Sequence, residues 1–224
     1  MSFDFSINLA FGDLPQEIGE KRESMFTPHG KVAQALLDFG RNTFGQEGMF
    51  ELNRTLMYIK NLRIESAAHS DMSHYIAHPI RLAIKTGYTV TPPHLDLLKL
   101  ALLHNVYELT GLEEADLRNA GFSNYIQNAV RVLTMDREHE FDAQYLAGYY
   151  RKIEDFGREA SLIKCLDKLD NILGLELMED GDLKTRYLEL ALTLVGPMTY
   201  RLSRGLGEYF CKACMCMQRE GKTQ

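Results

Sequence analysis

The chain of 224 residues has no apolar run approaching the roughly 18 residues that a bilayer-spanning helix needs, which argues against a membrane protein. Its N-terminus, MSFDFSINLAFGD, lacks the basic start and long apolar segment of a secretory signal, so a cytoplasmic protein is expected. Cysteine is scarce: Cys165 stands alone, and Cys211, Cys214 and Cys216 cluster near the C-terminus. They show no secreted disulfide framework, so reduced thiols are expected. The tail FCKACMCMQ contains one C-x-x-C, but a structural zinc asks for four ligands and no second pair or nearby histidine follows. There is no basic excess either. A formal charge of −6 argues against nucleic-acid backbone as a partner, because phosphate-tracking proteins carry a basic face. Strand signals are few, YTVT being the best, and neither an internal repeat nor a low-complexity linker is present.

What remains is ordinary globular usage, 45% hydrophobic and 25% charged, at a length that suits one compact domain. Apolar residues return every three or four positions, so the fold class is all-α. KVAQALLDFGRNTF (31–44) and MFELNRTLMYIKNLRI (49–64) read as amphipathic helices separated by GQEG. YIAHPIRLAIKTG is a third, with Gly87 as its expected C-cap, and TPPHLDLLKLALLHN a fourth, with Thr91 as its expected N-cap and prolines in the first turn. LEEADLRNAG carries acids in its first turn, and SNYIQNAVRVLT starts from a capping Ser123. EFDAQYLAGYYRKIEDFG (140–157) and REASLIKCLDKLDNILGLELMEDG (158–181) are longer helices, followed by DLKTRYLELALTLV and MTYRLSRGLGEYFCKACMCM. Residues 1–30 are expected as a loosely held N-terminal appendage and 31–224 as the helical domain.

Polar residues interrupt these apolar faces in a pattern that points to chemistry. In SLIKCLDKLDNILGL, Lys164, Asp167 and Asn171 fall at i, i+3 and i+7 on one stripe, beside an apolar face of Leu162, Leu166, Leu169 and Leu173. His78 lies in the first turns of its helix and His104 at the end of a buried one, so both can project imidazoles into one cavity. Two imidazoles with oxygen ligands suit Mn, Fe or Zn.

The ordered motifs AHPIRLA, ALLHNVYELT and KCLDKLDNIL resemble the HD superfamily of metal-dependent phosphohydrolases. The likeness is greatest to the RelA/SpoT hydrolase domain and the small alarmone hydrolases, and it covers about residues 50–195. The resemblance implies a single multi-helix HD-type bundle, with a divalent metal, Mn first and Fe or Zn as alternatives, held by His78, His104, position 105 and Asp167. It implies Glu108 as the catalytic acidic residue, Lys164 and Asn171 as substrate contacts, and hydrolysis of the 3′-pyrophosphate of guanosine tetraphosphate or pentaphosphate, (p)ppGpp. It also implies self-association into a homo-oligomer.

The chain departs from this pattern at three places. Asn105 stands where the family has aspartate, Leu109 replaces the second residue of an acidic pair, and ESAAHSDMSHYIAHP carries no basic run where the family holds guanosine. Replacing a carboxylate by a neutral carbonyl beside a divalent ion removes on the order of several kcal/mol of Coulomb stabilisation, partly offset because no carboxylate need be desolvated. Metal affinity should fall, leaving His78, His104 and Asp167 as a three-ligand site of the kind that serves catalytic zinc elsewhere. Two other classes stand beside the hydrolase: a degenerate HD fold that binds a nucleotide or protein partner without hydrolysis, and a helical interaction module in which these polar residues are structural.

The other polar and aromatic residues have plainer readings. His69, His74, His94 and His139 read as surface or loop residues, and Asp170 as a solvated neighbour on its helix. Tyr145, Tyr149 and Tyr150 read as packing residues, and Met215 and Met217 as fillers of irregular gaps.

Overall fold

The computed structural model describes residues 4–9, 12–26, 29–65, 75–175 and 180–220. The architecture is all-α, with one very small sheet in which β1 (Ser6–Ile7) pairs antiparallel with β2 (Val90–Thr91). No helix among the described residues is long and apolar enough to cross a membrane.

Helix α1 (Leu14–Phe26) leads to α2 (His29–Lys60), which absorbs both early amphipathic segments and breaks at Gly45, whose φ of 74° favours glycine. Helices α3 (Ala77–Thr89) and α4 (Leu95–Leu103) pack on each other and on α2. Short helices α5 (Val106–Leu109) and α6 (Glu114–Asn119) precede α7 (Asn124–Leu133). Then come α8 (Ala143–Phe156), capped by Asp142, and α9 (Arg158–Leu173). Helix α10 (Gly181–Leu190) continues through a π-helical turn, Ala191–Val195, into α11 (Gly196–Leu202) and, across an extended Ser203, α12 (Arg204–Glu220).

Helix α9 is central. It touches α1, α3, α4, α7, α8, α11 and α12, and Glu159 to Asp170 are all buried. Helix α4 is buried along Leu97 to Leu103, and each fully buried leucine there stabilises the fold by about 1.5–3 kcal/mol. These two helices and α3 therefore hold the middle of the molecule rigid.

Several local expectations are corrected. Gly87 does not end α3, which runs on to Thr89. Its missing side chain instead admits Phe39, since a Cβ there would lie 2.6 Å from the ring. Thr91 does not cap α4. It pairs with Ser6 across the sheet and its hydroxyl accepts from Asn8 Nδ2 at 2.8 Å, while His94 occupies the N-cap position. Of YTVT only Val90 and Thr91 are strand, because Tyr88 and Thr89 complete α3. Ser123 does cap α7, accepting from Ile126 N. The N-terminal segment joins the same core as the rest of the chain through Phe5, Leu14 and Ile18.

Candidate metal centre

Helix α4 ends at Leu103 because the chain leaves helical geometry at Asn105 (φ −113°, ψ 9°), from which α5 restarts. That break sets His104 at the end of a mostly apolar helix, where its ring is completely buried. Its Nδ1 lies 2.8 Å from the carbonyl of Ala101. A carbonyl only accepts, so Nδ1 carries the proton and Nε2 presents a lone pair. His78, one residue into α3, is oriented in the same sense: its Nδ1 lies 2.7 Å from Asp170 Oδ2, which leaves Nε2 aimed inward.

The two Nε2 atoms are 3.3 Å apart. Asp167 Oδ1, from the middle of α9, lies 3.2 Å from His78 Nε2 and 3.5 Å from His104 Nε2. Three potential ligand atoms thus face one another in the protein interior. For metal–ligand bonds of ~2.1 Å, neighbouring ligands stand ~3.0 Å apart in an octahedron and ~3.4 Å apart in a tetrahedron. The observed separations match such a face, and His78, His104 and Asp167 can hold a metal ion. Among the described residues no other group of three or more histidine, cysteine or acidic side chains is so placed, the C-terminal cysteines included.

Asn105 is buried, its amide lies beside Tyr75, and its Oδ1 has no hydrogen-bond partner. An orphaned buried carbonyl oxygen normally costs about 1–3 kcal/mol. Asn105 follows His104 in the chain, and its Oδ1 is a neutral oxygen without a hydrogen-bond partner.

The charges around Asp167 are balanced by protein cations. Lys164, also fully buried, places Nζ 3.0 Å from Asp167 Oδ2 and 5.5 Å from the centre of the Tyr149 ring. Asn171 Nδ2 donates to Asp167 Oδ1 at 3.0 Å. The stripe of Lys164, Asp167 and Asn171 is therefore a connected set. Burial raises the Asp167 carboxyl, but Lys164 and the two histidines outweigh it and hold the group well below the usual carboxylate range. Burial depresses Lys164, and Asp167 reverses this, so the ammonium stays charged well above the ordinary lysine value. Burial pulls the His78 imidazole down, yet its bonds to Asp167 and Asp170 lift it above the ordinary histidine value. His104, buried and with Asp167 as its counterweight, ends below that value.

Asp170 is not a solvated neighbour. It is buried and accepts from Lys21 Nζ of α1 at 2.5 Å, from Arg81 at 3.1 Å and from His78. Nothing in its own helix announces this, because its partners come from α1 and α3.

Glu108 lies on α5 with a buried carboxylate and is already engaged. Oε1 accepts from the backbone N–H of Met135 at 2.8 Å and Oε2 lies 2.6 Å from the Arg137 guanidinium. Arg137, which follows α7, was not singled out in the sequence because its pairing with Glu108 spans the intervening helices. Burial depresses Arg137, but Glu108 and Glu140 raise it above the ordinary arginine value.

Tyr149 and Tyr150 are buried packing residues, as their spacing suggests, and the Tyr149 hydroxyl donates to the carbonyl of Leu133. His94 and His139 lie toward the surface, whereas His69 and His74 fall outside the described residues.

No protein-family model and no curated protein matches the chain.

Proposed function

We propose that the chain is a metal-dependent phosphohydrolase of the HD type, acting on a nucleotide or another small phosphorylated molecule. The observation that carries this reading is the convergence of His78 Nε2, His104 Nε2 and Asp167 Oδ1 within 3.5 Å of one another, with each Nδ1 turned outward onto an acceptor oxygen. Two imidazoles and oxygen donors suit Mn, Fe or Zn, and the motif resemblance puts Mn first. A divalent ion held there supplies Lewis acidity toward a phosphoryl oxygen and lowers the pKa of water.

The remaining roles belong to the chain. Lys164 and Asn171 flank Asp167 and offer N–H donors to a phosphate. Arg137 adds a second cation beside Glu108. For Glu108 to take a proton from water, its bond to Met135 N–H can persist, but Arg137 must release it to an incoming phosphate, for which guanidinium geometry is well suited. Removal of the 3′-pyrophosphate from guanosine tetraphosphate or pentaphosphate is the reaction that the motif resemblance suggests. A cytoplasmic, self-associating protein accords with the same resemblance.

A second reading is a degenerate HD fold that holds such a ligand without hydrolysing it. The specific support is that Glu108 Oε1 accepts from Met135 N–H and Oε2 is ion-paired with Arg137, while Leu109 replaces the second acid.

Elemental analysis of the undialysed protein beside Asn105→Asp, followed by a phosphatase screen including guanosine tetraphosphate, tests both readings. Stoichiometric metal and turnover lost on His104→Ala support the hydrolase. A wild type empty of metal, with an Asn105→Asp variant that fills, supports the degenerate binder.

A further inference from the structure

The ligand set explains His78 only from its Nε2 side. On the other side stands Asp170, whose environment is costly to build: a buried carboxylate surrounded by Lys21, Arg81 and His78. Lys21 is 149 positions away in sequence and arrives on α1. Two features of the fold deliver it. Leu14 and Ile18 bury the apolar side of α1, and Glu17 pairs with Lys85 of α3. Where α9 ends, Gly174 leaves the space that the Lys21 stem crosses, since a Cβ on Gly174 would stand 3.2 Å from Lys21 Cε. The glycine eases this close approach, and its backbone angle is an ordinary φ of −90°.

We infer that Asp170, clamped by Lys21 of α1 beside Gly174, is the positioning residue that holds the His78 ring with Nδ1 on Asp170 and Nε2 toward Asp167. A carboxylate behind a metal-binding imidazole sets the tautomer and ring orientation. With Lys21 and Arg81 on its oxygens, Asp170 cannot swing away from His78 without losing two cations in the protein interior, so the ring is fixed before any ligand arrives. The N-terminal helix thereby becomes part of the centre, and its docking sets how well the centre binds. This rests on the metal reading above for its consequence on affinity, but not for the orientation itself.

The test uses the full-length protein and the variants Asp170→Asn and Lys21→Met, the second chosen because methionine keeps the length of the stem. Two quantities are measured: the His78 tautomer in ion-free protein, by 15N NMR of the imidazole at mildly alkaline pH, and the affinity for Mn or Zn by titration. The expected result is a loss of Nδ1-protonated His78 together with about 10–100-fold weaker metal binding, Asp170→Asn showing the larger effect. If Asp170→Asn fails to fold, Lys21→Met alone decides. Variants that fold and keep both the tautomer ratio and the affinity of the wild type overturn the inference while leaving the metal reading intact. A wild type that binds neither ion sinks the metal reading, and the tautomer comparison still decides the role of Asp170.

Discussion

Lys164 Nζ lies 3.0 Å from Asp167 Oδ2, so the only carboxylate among the three converging side chains already has a full cation on its far oxygen. A divalent ion held there would meet an anion whose charge is already paired with a protein cation, so Lys164 should weaken metal binding.

Lys164→Met should therefore separate two effects. Breaking a buried ion pair leaves an uncompensated carboxylate, so the metal-free variant should lose about 3–5 kcal/mol of stability. Its affinity for Mn or Zn should rise, because the Asp167 charge is no longer countered by an ammonium. Thermal unfolding with and without the ion measures both, and a stabilisation by metal smaller than in the wild type would contradict the idea.

Asn105→Asp adds a carboxylate next to His104, at a position whose oxygen is already buried and unpartnered. Metal affinity should rise by at least tenfold, since even one extra anion at partial screening contributes more than ~1.4 kcal/mol. Calorimetric titration of both proteins in one buffer measures this. Equal affinities would mean that position 105 does not face the ion.

Proton and metal compete for His78. Its folded value is raised by Asp167 and Asp170, so the stability it contributes as a cation is fully present below the unfolded value of roughly 6.5 and is lost as pH rises through the higher folded value. Metal binding follows the opposite sign: it needs the neutral ring, strengthens across that same interval and releases a proton. Titrations in buffers of different ionisation heat count that proton, and zero release between pH ~6.5 and the folded value would refute the competition.

Two helical glycines should respond to alanine in opposite directions. At Gly87 the new Cβ would meet the Phe39 ring at 2.6 Å, a steric cost of about 1–3 kcal/mol that exceeds the helix-propensity gain. At Gly148, on the exposed side of α8, nothing lies within 4 Å, so alanine should stabilise by about 0.5–1 kcal/mol. Urea denaturation of the two variants provides the comparison.

The helices themselves were legible because burial on one face writes a 3.6-residue period into the chain. Ser123 and Asn124–Leu133 emerged where the pattern placed them, and so did the stripe of Lys164, Asp167 and Asn171, whose mutual contacts follow from i, i+3 and i+4 spacing within one helix. The breaks were less legible. Gly87 reads as a terminator until Phe39 is seen to occupy the space above it, and Thr91 reads as a cap until β1 claims its hydroxyl.

Local spacing thus determined which residues share a helix face and which imidazoles stand near helix ends. Whether a given face meets water, a counter-ion or another helix is a long-range matter, and only the tertiary structure decided it. Asp170 has the sequence surroundings of a solvated acid, yet α1 brings Lys21 and α3 brings Arg81 and His78 to it. Glu108 finds Arg137 across α6 and α7. A charge is stable in the interior only where oppositely charged or hydrogen-bonding partners converge on it, and that convergence is a property of how the helices pack.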